Sequence, residues 1–249
     1  MAKGPLAARW GEWTLETPHA GAVGLGRVEM ENTGSVVWRA GIRLAYHWLD
    51  DRGNPIMWDG ERTVIPGLAP GESATVEARV RAPIPPGRYR FAFDLVAEHR
   101  AWFSELGSDT ASADVEVLPR IGTPRVELPA WIEPADGWSE RVAAAHAEGY
   151  AVVSGAIEWV GTLGRRRPRA LAAYLPGYGR IPNFPHPLLC PSILDGLELQ
   201  PVGDVAGIPA FAAPAQEPWI YDGRIVLRVH SRHPQHGSAI ESSEGLQSA

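Results

Sequence analysis

Four short stretches of this 249-residue chain combine residue types that can do chemistry. In "NFPHPLLCPS" the single cysteine, Cys190, follows His186 by four positions. A nucleophilic cysteine needs its pKa lowered by a base, a cation or a helix N-terminus. Pro185, Pro187 and Pro191 keep the segment extended, and at roughly 3.3 Å per residue that spacing sets the two side chains about 13 Å apart. The segment is expected to be a rigid connection, with Cys190 a small buried residue beside Leu188, Leu189 and Ile193. "HSRHPQH" spaces His230, His233 and His236 three apart. Its extended backbone turns alternate residues to opposite faces and brings no acidic or thiol ligand, so no metal site is expected. "GRRRPR" gathers Arg165, Arg166 and Arg167, whose guanidinium forks can pair with phosphate or an acidic partner. "WDGER" sets Trp58 and Asp59 beside Arg62 at a turn.

The remaining acidic pairs read as structure. Asp50 and Asp51 are adjacent, so on a strand they point to opposite faces, and the "DDRGN" context makes them hairpin residues. Asp59 and Glu61 flank Gly60 in a second turn. Asp94 and Glu98, near His99 and Trp102, are expected on a solvated sheet face, with a polar patch on a binding face as the alternative. No catalytic constellation and no cofactor motif emerges. The ten tryptophans exceed what an ordinary core requires, and Trp10, Trp13, Trp58, Trp102, Trp131, Trp138 and Trp219 sit beside turns. Such rings serve first as anchors between domains and second as stacking platforms for sugar faces.

The elements that must position these residues are legible in the bulk pattern. Apolar residues make up 45% of the chain and charged residues 21%, the balance of a folded globular protein. A formal charge of −6 gives no electrostatic footprint for nucleic acid. The N-terminus lacks the apolar core of a secretory signal, and no stretch approaches the roughly 20 apolar residues of a membrane helix. One cysteine forms no internal disulfide. A cytoplasmic protein is expected.

Residues 10–118 alternate with a period of two between turns: Ile42, Leu44, Tyr46 and Trp48 against Arg43, Ala45 and His47, then Ala74, Val76, Ala78 and Val80, then Tyr89, Phe91, Phe93 and Leu95. Seven or so short strands at this spacing predict an antiparallel β-sandwich. The motifs N-T-G-x-x-x-W, the W-x-D-x-x-G hairpin, R-T-x-I-P, A-P-G-E, P-P-G-x-Y and D-L-V-x-E-x-x-x-W-F lie within about residues 20–118. Together they resemble a bacterial immunoglobulin-like domain of the kind appended to surface-glycan glycosyltransferases, methyltransferases and polysaccharide-export ATPases. The resemblance implies an immunoglobulin-like fold, with glycan binding or domain docking as its roles.

Residues 119–137 are proline-rich and predict a linker. Residues 138–235 predict a smaller, irregular α/β module. Ser139 is placed as N-cap of a helix with Glu140 in its first turn, Gly149 as its stop, and "YAVVSGAIEWVG" as the following strand. A short helix is expected at Ala170–Leu175, and a hairpin-like strand around Asp222-Gly223. Residues 236–249 predict a disordered tail. Residues 138–180 resemble the middle of family 2 glycosyltransferases, although no nucleotide-binding β–α unit precedes them and no Asp-x-Asp metal motif occurs. That resemblance implies a remnant without the catalytic half.

The reading is a mainly β chain, an immunoglobulin-like β-sandwich followed by a small irregular α/β module. It is expected to act as a non-enzymatic accessory of a surface-glycan pathway. It would bind a glycan or dock a partner glycosyltransferase or exporter through Trp58, Asp59, Arg62, Arg165, Arg166, Arg167, Trp219 and Tyr221. The alternatives are a glycosyltransferase-like protein whose nucleotide half comes from another chain, and a structural subunit of a larger assembly.

Overall fold

A computed structural model of the protein describes residues 4–160, 176–182, 187–205 and 207–230. Arg165–Arg167, the expected helix at 170–175, His186, His233, His236 and the expected tail lie outside the described residues, as does the side chain of His230.

The first module is a two-sheet antiparallel sandwich. One sheet joins β1 (Ala8–Leu15), β2 (Val23–Asn32) and β6 (Ser73–Arg81) in the order β1-β2-β6. The other centres on β3 (Ile42–Leu49) paired with β7 (Gly87–Ala97). On the outer side of β3 lie the short β4 (Pro55–Met57) and β5 (Thr63–Val64). On the outer side of β7 lie β8 (Ala101–Trp102) and β9 (Ala111–Val117). Inward-facing side chains of both sheets form one core: Val28 and Met30 of β2, Val76, Ala78 and Val80 of β6, Leu44, Tyr46 and Trp48 of β3, and Phe91, Phe93 and Leu95 of β7. Aromatic edges pack closely, with Phe91 and Phe93 at 4.7 Å and Trp48 and Phe91 at 4.9 Å between ring centroids. Three of the core rings use their polar handles, while Trp38 Nε1 is buried without a partner. Trp48 Nε1–H donates to the Arg81 carbonyl at 3.0 Å, Tyr46 Oη accepts from the Arg81 amide at 2.9 Å, and Tyr89 Oη–H donates to the Pro85 carbonyl at 2.7 Å. On β2 the inward phase falls on Gly26, Val28 and Met30, and Leu25 faces solvent.

Two expectations for this sheet need correction. The alternation on β3 and β7 predicts one buried face, yet Ala45, His47, Ala92, Asp94 and Val96 on their outward face are also buried. Asp94 in particular, expected on a solvated face, has no exposed surface. Trp102 of β8, the turn after β4 and the one-turn 3₁₀ helix Ser104–Leu106 fold back over that face, and Ala45, Val96 and Trp102 form a small second core there. A period of two within one strand carries no information about loops returning from elsewhere in the chain.

The second module is layered. Its main sheet runs β10 (Pro124–Arg125), β15 (Ser192–Leu194), β12 (Val152–Val160), β18 (Trp219–His230), β11 (Ile132–Pro134), with β13 (Arg180–Pro182) also on β18. The helix α1 (Trp138–Glu148) covers one face through Val142 and Ala145, against Val153, Ile220 and Ile225. A small sheet of β14 (Leu188–Leu189), β17 (Ile208–Phe211) and β16 (Pro201–Val205) supplies Leu189, Ile208 and Ala210 to a second cluster with Ile157, Tyr221, Leu227 and Val229. The stretch 119–137, expected to be a linker, contributes β10 and β11 to the main sheet, where short strands need few consecutive pairing residues.

α1 starts at Trp138 after Gly137, which sits in the left-handed region at φ 73° and offers no side-chain cap, so Ser139 lies inside the helix rather than capping it. Gly149 does end it, at φ 128°. β18 is one continuous strand instead of a hairpin-like turn at Asp222-Gly223. It pairs in parallel with β12, with Gly155 opposite Asp222 and Ala156 opposite Val226, so three residues bulge out between them. Asp222 closes the bulge by accepting from the Arg224 amide at 3.0 Å and its guanidinium at 2.9 and 2.6 Å. The bulged backbone leans on β12, and a Cβ at Gly155 would lie 2.0 Å from the Ile225 carbonyl oxygen.

The modules meet around Glu217. Its carboxylate accepts from Arg120 at 2.9 Å and lies 3.8 Å from Arg81, while Arg81 also donates to the carbonyls of Gly21 and Gln216 at 2.7 Å each. Arg120 donates to the Gly149 carbonyl at 3.1 Å, which ties the end of α1 to the last strand of the sandwich.

Candidate functional site

β4 and β5 cover different halves of one edge of β3, and the turn between them carries Trp58, Asp59, Gly60 and Arg62. Gly60 pins that turn to the sheet, its N–H donating to the Tyr46 carbonyl at 3.1 Å. On the far side, β7 runs out at Ala97 and returns through the tight turn Glu98–Arg100 into β8. Between the two turns lies an open groove of about 400 Å³, lined among others by Trp58, Asp59, Arg62, Glu98, Trp102 and Glu105.

The floor of the groove is the covered outer face of the sheet. His47 on β3 is buried, and its ring stacks on Trp58 at 4.0 Å and 17°, with the Trp102 ring against it at 4.4 Å and 64°. Nδ1 of His47 faces the Trp58 carbonyl, and Nε2 faces the Asp94 carboxylate at 3.4 Å, so the ring is held between two acceptors. Asp94 is fixed in turn. It accepts from the Leu95 amide at 2.7 Å and from the Ser104 hydroxyl at 2.5 Å. A buried carboxylate is tolerated only when so satisfied, and here the network orients the two indoles above it.

Trp58 is 40% exposed although its back is packed on His47. Arg62 bridges the walls: its guanidinium lies over the Trp102 ring at 4.7 Å, pairs with Asp59, donates to Glu98 at 3.1 Å and donates to the Gly60 carbonyl at 2.9 Å. Glu105 accepts from the Trp102 amide at 3.1 Å. The groove therefore presents a rigid, half-exposed aromatic face rimmed by carboxylates and guanidinium groups.

Of the residues expected to form one site, the structure gathers Trp58, Asp59 and Arg62 and sets Trp219 and Tyr221 apart from them, while Arg165–Arg167 lie outside the described residues. Trp219 is buried at the start of β18 against Ala151, Val152 and Leu188, and Tyr221 lies in the core between the main and small sheets of the second module. A strand buried on both faces takes aromatic residues for packing, and that is their place here. His47 was not foreseen beside the site, and Asp94, Glu98 and Trp102 were foreseen only in the alternative reading of a polar binding patch. The aromatic-plus-charge run Glu98–Trp102 was the available signal.

Two other constellations are structural. Cys190 is buried, and burial pushes its thiol up to about 11, opposite to what a nucleophile needs. It borders a cavity of about 240 Å³ with Arg125, Glu127, Ile193, Leu199 and Phe211. His146 Nε2 lies 2.9 Å from the Ser192 hydroxyl and Nδ1 lies 2.8 Å from the Tyr150 carbonyl. That is the geometry of a base beside a nucleophile, but both side chains are sealed inside the module and neither lines the cavity beside Cys190. Among the described residues no group of three or more His, Cys, Asp or Glu is gathered to hold a metal, and no helix is long and apolar enough to cross a membrane.

Residues 27–116 match the family described as Ig-like domain from next to BRCA1 gene. No curated protein sequence matches the chain. Among solved structures, the CARDB domain of PF1109 from Pyrococcus furiosus is 16% identical, covering 47% of this chain and 97% of its own, with a TM-score of 0.31. The C-terminal domain of wzt is 8% identical over 49% of this chain and 78% of its own, with a TM-score of 0.35. A β-glucosidase from Listeria innocua in complex with glucose is 16% identical over 45% of this chain and 16% of its own, with a TM-score of 0.29. At TM-scores this low none of these likenesses assigns a ligand. The family match and the two-sheet topology together make the first module an immunoglobulin-like β-sandwich.

Proposed function

We propose that this protein is a non-enzymatic binding protein whose immunoglobulin-like sandwich takes a glycan in the groove at Trp58, as an accessory to a bacterial surface-glycan pathway. The observation that carries this reading is the Trp58 indole, 40% exposed yet fixed from behind by His47. A flat apolar ring already immobilised loses little entropy when a sugar face settles on it, and the rim supplies hydrogen-bonding partners for hydroxyl groups. The groove's size of about 400 Å³ falls within the usual range for a small-ligand site. The pathway rests on the resemblance of residues 20–118 to domains appended to surface-glycan enzymes and exporters. Among the described residues the groove belongs to the sandwich alone, since every lining residue lies between Trp58 and Glu105, and the second module is fastened elsewhere, through Glu217, Arg81 and Arg120.

Titration of bacterial oligosaccharides into the full chain, followed by tryptophan fluorescence, tests the proposal. Trp58→Ala should weaken binding by about 2 kcal/mol, roughly thirtyfold, as loss of a central aromatic anchor does. Equal binding by wild type and Trp58→Ala would place the ligand elsewhere.

A further inference from the structure

Arg62 spans the groove, and each of its guanidinium nitrogens already has a partner. Nε donates to Glu98 at 3.1 Å, Nη1 donates to the Gly60 carbonyl at 2.9 Å, and Nη2 pairs with Asp59. Its flat face lies on Trp102. A guanidinium that recognises a carboxylate or phosphate must offer two parallel N–H groups to it. Arg62 instead serves as a strut holding the two turns together, with its charge balanced by two carboxylates.

What the groove leaves unspent is acceptor capacity. Asp59 is 71% exposed and engages Arg62 through one oxygen, Glu98 through one oxygen likewise, and Glu105 uses one oxygen on the Trp102 amide. The lining residues carry three carboxylates, Asp59, Glu98 and Glu105, against two guanidinium groups, Arg62 and Arg100. Beside them stands the open face of Trp58. An aromatic face next to carboxylate oxygens favours ligands that bring hydrogen-bond donors or a cation, and repels added negative charge.

We infer that the groove selects glycans bearing neutral hydroxyls or free amino groups and rejects those bearing uronate or phosphate. The inference rests on the groove being a glycan site and names the class of glycan it takes. Ligand hydroxyls would donate to the spare oxygens of Asp59 and Glu98 while the less polar sugar face covers Trp58. An ammonium group would add a charge-assisted bond to the same oxygens. A uronate or phosphate would meet those oxygens directly, in a groove whose three carboxylates outnumber its two guanidinium groups, Arg62 and the exposed Arg100.

The test is an array of bacterial surface oligosaccharides with neutral, amine-bearing, uronate-bearing and phosphorylated members, probed with the full chain and with Glu98→Gln. The wild type should retain neutral and amine-bearing glycans and bind acidic counterparts of matched length roughly tenfold more weakly or worse. Glu98→Gln removes one carboxylate charge while its amide oxygen can still accept from Arg62 Nε, so it should narrow that gap by raising acidic binders. Wild-type hits dominated by uronate or phosphate would overturn the selectivity while leaving the glycan site standing. No hits in any class would overturn the glycan reading and the selectivity with it.

Discussion

The imidazole of His47 lies face to face with the indole of Trp58, 4.0 Å between centroids and 17° from parallel, with one ring buried and the other open to the groove. The two rings should therefore fail differently. His47→Ala opens a void beneath Trp58 and removes a neighbour of buried Asp94, an expected loss of about 2–4 kcal/mol. For a chain of this size that lowers the thermal midpoint by roughly 5–15 °C. Trp58→Ala should cost less, about 1–2 kcal/mol in stability, while removing most ligand affinity, because two-fifths of the residue is already in water. Thermal melts and ligand titrations on the two variants check the separation. A Trp58→Ala protein as unstable as His47→Ala would make Trp58 a core residue.

The buried pair His146–Ser192 gives a pH dependence of known sign. Burial lowers the His146 pKa, Arg120 nearby adds to the lowering, and the hydrogen bond to the Tyr150 carbonyl opposes it. A histidine with a depressed folded pKa contributes stability above its unfolded value, about 6.5, and that contribution is lost as pH falls below it. Melting midpoints should drop between about pH 6.5 and 5 more steeply for wild type than for His146→Gln, which cannot charge. Parallel curves for the two proteins would contradict the assignment.

The period-two pattern of β3, β6 and β7 was enough to find the sandwich and most of its core, because apolar residues recur at every second position along each strand. The turn Trp58–Arg62 was also readable, since an aromatic, an acid and a base meet there within five residues. Asp94 was misread because its burial comes from Trp102 and Ser104, which return after a turn and leave no mark on β7 itself. The second module was obscure for a different reason. Its strands β10, β11, β13, β14 and β15 have two or three residues each, too short for any periodicity to register. Trp219 and Tyr221 were placed at a surface because a turn signal at Asp222-Gly223 masked a bulge in a buried strand.

Cys190 should resist thiol reagents in the folded protein. With its thiol pushed up to about 11, roughly one molecule in a thousand carries a thiolate at pH 8. A disulfide-exchange reagent should therefore modify the native chain slowly at pH 8 and the denatured chain at once. The stability held by the neutral thiol is full below the ordinary cysteine value and fades as pH climbs towards 11. Rapid native labelling would show an accessible thiolate instead.

Glu217 should matter more for the coupling of the modules than for either module alone. Glu217→Ala leaves Arg120, only 11% exposed, without its carboxylate, and also removes the charge facing Arg81. The expected cost is about 1–3 kcal/mol, carried mainly by the junction. Hydrogen exchange should quicken at Gly21 and Ala151, whose amides bond beside that junction on either side, while the sandwich core keeps its protection. Unchanged exchange at both amides would mean that packing alone holds the modules.

The most direct test of the account is an NMR titration of the indole N–H signals, ten tryptophans in all, with an oligosaccharide retained on the array. Single Trp→Phe variants assign the signals. Binding at the groove should shift the indole signals of Trp58 and Trp102 and leave those of buried Trp38 and Trp219 in place. Shifts at other tryptophans with Trp58 unmoved would contradict the account.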